Sequence, residues 1–241
     1  MKLFCLPFAG GSKRAYSHWN TFTSHAMEIE AIEIRGRGER FGQGFYQDIS
    51  EAVDDIYSMI KDKINEGKYA LYGHSMGTLL AYELYYKILD EGQQKPQHIF
   101  FSGRQSPIVQ NNMYVSFNMS DDEFIAKIIA LGGIHEELTQ SKELMEFYLP
   151  ILKNDIRIME TYKFQERTER LKCKISVLSG LEDKIDSIQK ITWDDLCEQK
   201  SKSYYFTGSH FFINDHVDKI VKMIEDELCQ NNEVGHEQIK Q

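Results

Sequence analysis

The stretch Tyr69-Ala-Leu-Tyr-Gly-His-Ser-Met-Gly77 leaves the chain few folds to choose from. A short apolar run ends in Gly73-x-Ser75-x-Gly77, and a helical pattern follows at once. The reading is a strand that reverses through a tight turn into a helix, with Ser75 at the apex. Positions 73 and 77 need glycine, because a Cβ at either bend would collide with neighbouring backbone. The turn sets the Ser75 hydroxyl and the Met76 N–H at the amino end of a helix, where negative charge is favoured. That arrangement suits a nucleophile attacking a carbonyl. A Ser-Gly turn or phosphate loop can carry the same letters, so the rest of the chain has to decide.

Around this stretch, strand and helix patterns alternate. Lys2–Leu6 reads as a buried strand that ends in Pro7-Phe-Ala-Gly-Gly11, followed by a short helix at Arg14–Ser24 and a second strand at Met27–Ile34. Helices are expected at Ile49–Glu66 and Met76–Glu91, and strands at Tyr69–Tyr72 and His98–Ser102. Short βαβ connections of this kind imply a parallel sheet with helices on both faces. The alternation breaks between about 105 and 165, where the patterns are helical: Asp121–Leu131, then Ser141–Tyr162 with Pro150 inside. A proline there should kink or split the second helix. Such a segment reads as a helical insertion over the sheet edge, either a lid or a static elaboration. Strands return at Lys174–Ser179 and Lys202–Thr207, a last helix covers His216–Cys229, and the tail 231–241 is polar. The organisation is one domain, with its core in 1–104 and 166–230.

A net charge of −9 over 241 residues argues against nucleic-acid binding, which needs a basic face, and gives no attraction to anionic membranes. Cys5, Cys173, Cys197 and Cys229 form no CxxC pair and no zinc-like spacing, so free thiols, no metal and a reducing, cytoplasmic setting are expected. The apolar run before Pro7 is too short for a signal-peptide core, and no stretch approaches a membrane span.

A serine nucleophile needs a base, and the base needs an orienting acid, both in loops at the carboxyl ends of strands. Among eight histidines only His210 sits just past a strand, in Thr207-Gly-Ser-His-Phe-Phe212. His74 adjoins the serine and reads as a structural hydrogen-bonder; His18, His25, His98, His135, His216 and His236 fall elsewhere. The acid is sought in Gly180-Leu-Glu-Asp183; Asp183 is favoured, with Glu182 and Asp186 competing. The order Ser75, Asp183, His210 is that of α/β-hydrolases. An oxyanion hole needs two N–H donors: Met76 is one, and the loop after the first strand supplies Ala9, or failing that Phe8. That loop lacks the spacing of a phosphate-binding glycine loop.

Taken together, the residues resemble the type II thioesterases that accompany nonribosomal peptide and polyketide synthases. The likeness covers nearly the whole chain: Leu6-Pro-Phe-Ala-Gly-Gly11, Arg35-Gly-Arg-Gly-Glu-Arg40, Gly73-His-Ser-Met-Gly77, Ser102-Gly-Arg-Gln-Ser-Pro107, Leu131-Gly-Gly-Ile-His-Glu-Glu-Leu138, Leu149-Pro-Ile-Leu-Lys-Asn-Asp155 and Gly208-Ser-His-Phe-Phe212. Arg35 stands where the family commonly has proline, and Ser209 replaces a usual glycine. The resemblance implies an α/β-hydrolase fold with a helical lid. It implies hydrolysis of acyl thioesters on the phosphopantetheine arm of acyl or peptidyl carrier proteins, clearing misprimed or stalled groups. Ser75, Asp183 and His210 would be the triad and no cofactor would be needed. A monomer is expected. General carboxylesterase or lipase activity, fatty-acyl chain release and a catalytically silent binding module are the alternatives. The arginines at 35, 37 and 40 read as an exposed, solvated cluster, or as a contact for an acidic carrier protein.

Overall fold

The inner strands of the central sheet are apolar on both faces, and the architecture follows from that. In a computed structural model, residues 1–24, 26–109, 114–134, 141–185 and 191–233 are described. The six strands are β1 (Lys2–Leu6), β2 (Glu28–Ala31), β3 (Tyr69–His74), β4 (His98–Ser102), β5 (Lys174–Gly180) and β6 (Lys202–Phe206). They form one sheet in the order β2-β1-β3-β4-β5-β6, with every neighbouring pair parallel. The helices are α1 (Ile49–Ile60), α2 (Met76–Asp90), α3 (Asp121–Ala130), α4 (Lys142–Glu160), α5 (Ile191–Asp194), α6 (Phe212–Asp215) and α7 (Val217–Glu233).

Alternate strand residues feed two cores. Phe4, Leu6, Leu71, Ile99 and Phe101 join the apolar faces of α1 and α2 on one side. Leu3, Cys5, Ala70, Tyr72 and Phe100 join Ile220, Val221 and Ile224 of α7 on the other. Helix α2 is buried almost all round, as its unbroken apolar sequence predicts. The chain leaves β1 toward β2 and then returns to β3 on β1's opposite side, so the sheet reverses direction between β1 and β3. Loops at the carboxyl ends of those two strands therefore diverge and open a crevice, the usual place for a ligand in such sheets. Helices α3 and α4 are inserted between β4 and β5.

Several local expectations are corrected. The helix expected at Arg14–Ser24 is two 3-10 turns, Lys13–Tyr16 and Trp19–Phe22. The hydroxyls of Ser17, Thr21 and Thr23 each donate to a carbonyl three residues back, which competes with a regular α-helical ladder. The second strand stops at Ala31, and α1 stops at Ile60 before a separate 3-10 turn at Lys63–Asn65. Pro150 does not split α4. It lies on the exposed face, as does Glu146 one turn earlier, so the carbonyl that proline leaves unbonded can turn to water. The last helix continues past Cys229 to Glu233, while residues 234–241 of the polar tail lie outside the described residues. All four cysteines are unpaired, and among the described residues no helix is long and apolar enough to cross a membrane.

One buried titratable group ties the sheet to pH. His98 begins β4, and its Nε2 lies 2.9 Å from Ser176 Oγ on β5. Burial pushes its pKa down to about 4. The unfolded chain takes up that proton near pH 6.5 and the folded chain only near 4, so stability present above pH 6.5 drains away as pH falls between those values. Acidifying from pH 7 to 5 is expected to remove about 2 kcal/mol through His98. Urea unfolding at both pH values checks this, and His98→Gln should flatten the slope; equal unfolding free energies in the native chain would contradict it.

Candidate active site

The turn from β3 into α2 has the geometry that its two glycines suggest. Ser75 adopts φ 55 and ψ −109, the only positive φ among the described non-glycine residues. Such backbone is strained and persists only where neighbours over-determine it. Here the Ser75 N–H donates to Ser102 O at 2.8 Å, and the Thr78 hydroxyl donates to Gly73 O at 2.8 Å. A Cβ on residue 73 would lie 2.0 Å from Gly77 O, and one on residue 77 would lie 2.3 Å from Leu6 O. Ser75 is half-buried at the start of α2, where the first N–H groups, Met76's among them, have no intrahelical acceptor.

His210 follows β6 and Asp183 follows β5, and the structure joins them. His210 Nδ1 lies 2.8 Å from Asp183 Oδ2, with both residues almost fully buried. The other carboxylate oxygen, Oδ1, accepts the Ile185 N–H at 2.8 Å, which fixes the carboxylate plane. With Nδ1 turned to an acceptor, Nε2 is the nitrogen left to face a reacting group. Glu182 does something else: its carboxylate accepts the Gly208 N–H and ties down the histidine loop. Asp186 lies outside the described residues. Of the remaining histidines, His74 packs beneath His210 with ring centroids 5.0 Å apart, and its Nδ1 lies 2.9 Å from Ser102 Oγ. Burial, and then the neighbouring His210, hold its pKa well below the usual range, so it stays neutral. His98 is in the sheet, His216 contacts Thr207, and His18 is exposed. His25, His135 and His236 lie outside the described residues.

Ser75, His210, Phe8 and Ala9 line one cavity of about 300 Å³. Its far wall is apolar and comes largely from the insertion, through Ile128 of α3 and Leu152, Ile156 and Met159 of α4. Arg104 also lines it, a buried guanidinium whose Nη1 lies 3.5 Å from Met159 Sδ and whose pKa burial lowers to about 10. Ala9 belongs to a tight turn in which the Gly11 N–H donates to Phe8 O at 2.8 Å. Gly10, the third residue of that turn, has φ 75, as a type II turn requires. Because the Phe8–Ala9 peptide is trans and its carbonyl is engaged inside the turn, the Ala9 N–H points outward from it.

The Thioesterase domain family matches residues 1–228. The chain belongs to the thioesterase family. ClbQ, from the colibactin nonribosomal peptide and polyketide pathway, is a 32% identical solved structure with a TM-score of 0.91, covering 97% of this chain and 98% of its own. The type II thioesterase BorB, from the borrelidin biosynthetic cluster, is 27% identical with a TM-score of 0.83, covering 94% and 92%. The medium-chain S-acyl fatty acid synthase thioesterase of Rattus norvegicus is 26% identical over 88% of this chain and 81% of its own. This thioesterase has the α/β-hydrolase fold of those neighbours, and it is an enzyme of thioester hydrolysis.

The arginine loop is not the exposed cluster that its sequence suggests. Arg37 is buried and pairs through both terminal nitrogens with Asp155, at 2.7 and 2.8 Å. Arg40 pairs with Asp55 at 2.6 Å, and Arg35 reaches Glu51 at 2.7 Å and Asp55 at 3.3 Å. All three guanidinium groups are engaged inside the thioesterase. The elbow supplies the prediction here: Gly77→Ala should destabilise the protein by about 3 kcal/mol or prevent folding, since backbone must move to admit the methyl group. Thermal unfolding of purified protein measures it; an unchanged melting temperature would contradict the close approach.

Proposed function

We propose that this thioesterase acts on acyl groups held on the phosphopantetheine arm of carrier proteins in nonribosomal peptide or polyketide assembly, in the cytoplasm, and removes misprimed or stalled chains. The observation that carries the chemistry is the His210–Asp183 hydrogen bond in the wall of the cavity onto which Ser75 opens. ClbQ, from a nonribosomal peptide and polyketide pathway, and BorB, a type II thioesterase of a biosynthetic cluster, support the substrate class.

In this reading, Ser75 Oγ attacks the thioester carbonyl carbon while His210 Nε2 takes the hydroxyl proton. The Ala9 and Met76 N–H groups hold the oxyanion, and Asp183 holds the imidazole orientation and stabilises its cation. Collapse breaks the C–S bond, the pantetheine thiol leaves with the proton from His210, and an ester on Ser75 remains. Water, deprotonated by His210, then attacks that ester; the tetrahedral adduct collapses as His210 returns the proton to Ser75 Oγ, and the acid leaves. No cofactor enters any step. The insertion bearing α3 and α4 serves as a lid whose apolar side covers the acyl chain.

Ser75→Ala should abolish hydrolysis of acyl-carrier and acyl-coenzyme A thioesters while leaving the melting temperature near that of the native enzyme. Asp183→Asn should lower kcat by ~10⁴, by analogy with serine-protease triads. Retained activity in Ser75→Ala would refute the nucleophile. A fatty-acyl chain-release role is the second reading, favoured by the rat relative and by the apolar far wall of the cavity. A panel of carrier proteins loaded with acetyl to long-chain acyl groups separates the two, since chain release requires a marked preference for the longer chains.

A further inference from the structure

Asp155 is placed where a carboxylate needs a reason. It lies on α4, fully buried, on the same helical face as Tyr148 and Leu152 at spacings of seven and three residues. That face closes around Gly10. A Cβ on Gly10 would lie 2.3 Å from the Tyr148 hydroxyl and 2.9 Å from Leu152 Cδ1. Asp155 Oδ2 accepts the Gly10 N–H at 2.8 Å and Arg37 Nη1 at 2.7 Å, and its Oδ1 accepts Arg37 Nη2 at 2.8 Å. Arg37 Nη1 also donates to Gly11 O at 3.0 Å, and its Nε donates to Arg35 O at 3.3 Å.

These bonds converge on the exit half of one turn. Asp155 holds the Gly10 N–H, and Arg37 holds Gly11 O where the chain leaves the turn. We propose that Asp155 and Arg37 are positioning residues for the reaction: by gripping the Gly10 N–H and Gly11 O, the pair fixes where the Phe8–Gly11 turn sits and, with it, the Ala9 N–H that faces the developing oxyanion. Because Asp155 belongs to α4, the inserted helix that also walls the acyl cavity, the oxyanion hole is complete only while that helix is seated. Acyl binding against Leu152 and Ile156 and oxyanion stabilisation thus share one element.

This rests on the hydrolytic reading above, and its test is designed to fail separately from it. A single change such as Asp155→Ala leaves a buried guanidinium unpaired and can unfold the protein for that reason alone. The charge-neutral double variant Arg37→Met/Asp155→Leu removes the anchor without stranding a charge, and replacements of this kind are often neutral or stabilising. Both variants are assayed on a short acyl-coenzyme A thioester beside native enzyme and Ser75→Ala, with melting temperatures and with inhibition by a trifluoromethyl ketone that forms a tetrahedral adduct. The expected result is a kcat lowered about 10- to 100-fold in the double variant, approaching the loss of an oxyanion donor. KM should stay within about threefold, and inhibitor affinity should fall in parallel with kcat/KM. A folded double variant with kcat within twofold of native overturns the positioning role. Failure of both variants to fold assigns the pair to stability and overturns it equally. Absence of Ser75-dependent hydrolysis in the native enzyme strikes the catalytic reading instead.

Discussion

The site depends on a contact between backbones that side chains would forbid. Helix α2 starts so close to β1 and β3 that Gly77 faces Leu6 O and Gly73 faces Gly77 O. That closeness, with the Ser75 N–H tied to Ser102 O, holds Ser75 at a positive φ. The strain at Ser75 is of the order of 1–3 kcal/mol, and it is borne by a sheet whose inner strands β1, β3, β4 and β5 are buried on both faces. A rigid two-sided core is therefore the support for one half-buried serine, and α2, buried almost all round, transmits that support to the helix start beside it.

The remaining groups arrive from loops at the same edge of the sheet. Reversal of direction between β1 and β3 brings the Phe8–Gly11 turn beside the elbow, while β5 and β6 deliver Asp183 and His210. Neutral His74 forms the floor under His210, and Glu182 holds the backbone of the loop that carries it. Helix α4 of the insertion walls the same cavity and reaches through Asp155 to the turn itself. In the proposed mechanism, substrate enclosure and the placement of the oxyanion loop are thus built from one helix.

What could be read in advance follows from which residues act locally. The elbow was legible because glycine, serine and glycine at fixed spacing encode a backbone shape. His210 and Asp183 were legible because position after a strand end in a parallel sheet restricts the candidates to a few. The arginines at 35, 37 and 40 were misread as exposed, since their carboxylate partners lie on α1 and, for Arg37, 118 residues away on α4. Asp155 carried one faint signal, an acid on an otherwise apolar helical face. The chain at 13–22 took 3-10 turns because serine and threonine hydroxyls capture nearby carbonyls, a competition that helical periodicity does not register. Arg104 gave no sign that it would enter the cavity, because its placement is decided by the packing of α4 through Met159.

The central claim is a covalent one: the acyl group passes through an ester on Ser75. Rapid quenching of the enzyme with excess acyl thioester, followed by proteolysis and mass spectrometry, tests it directly. The account predicts the added acyl mass on the peptide containing Ser75 within the first turnover, and its absence in Ser75→Ala. An enzyme that turns over substrate with no acyl mass at Ser75, or with it on another residue such as a cysteine, would contradict the account.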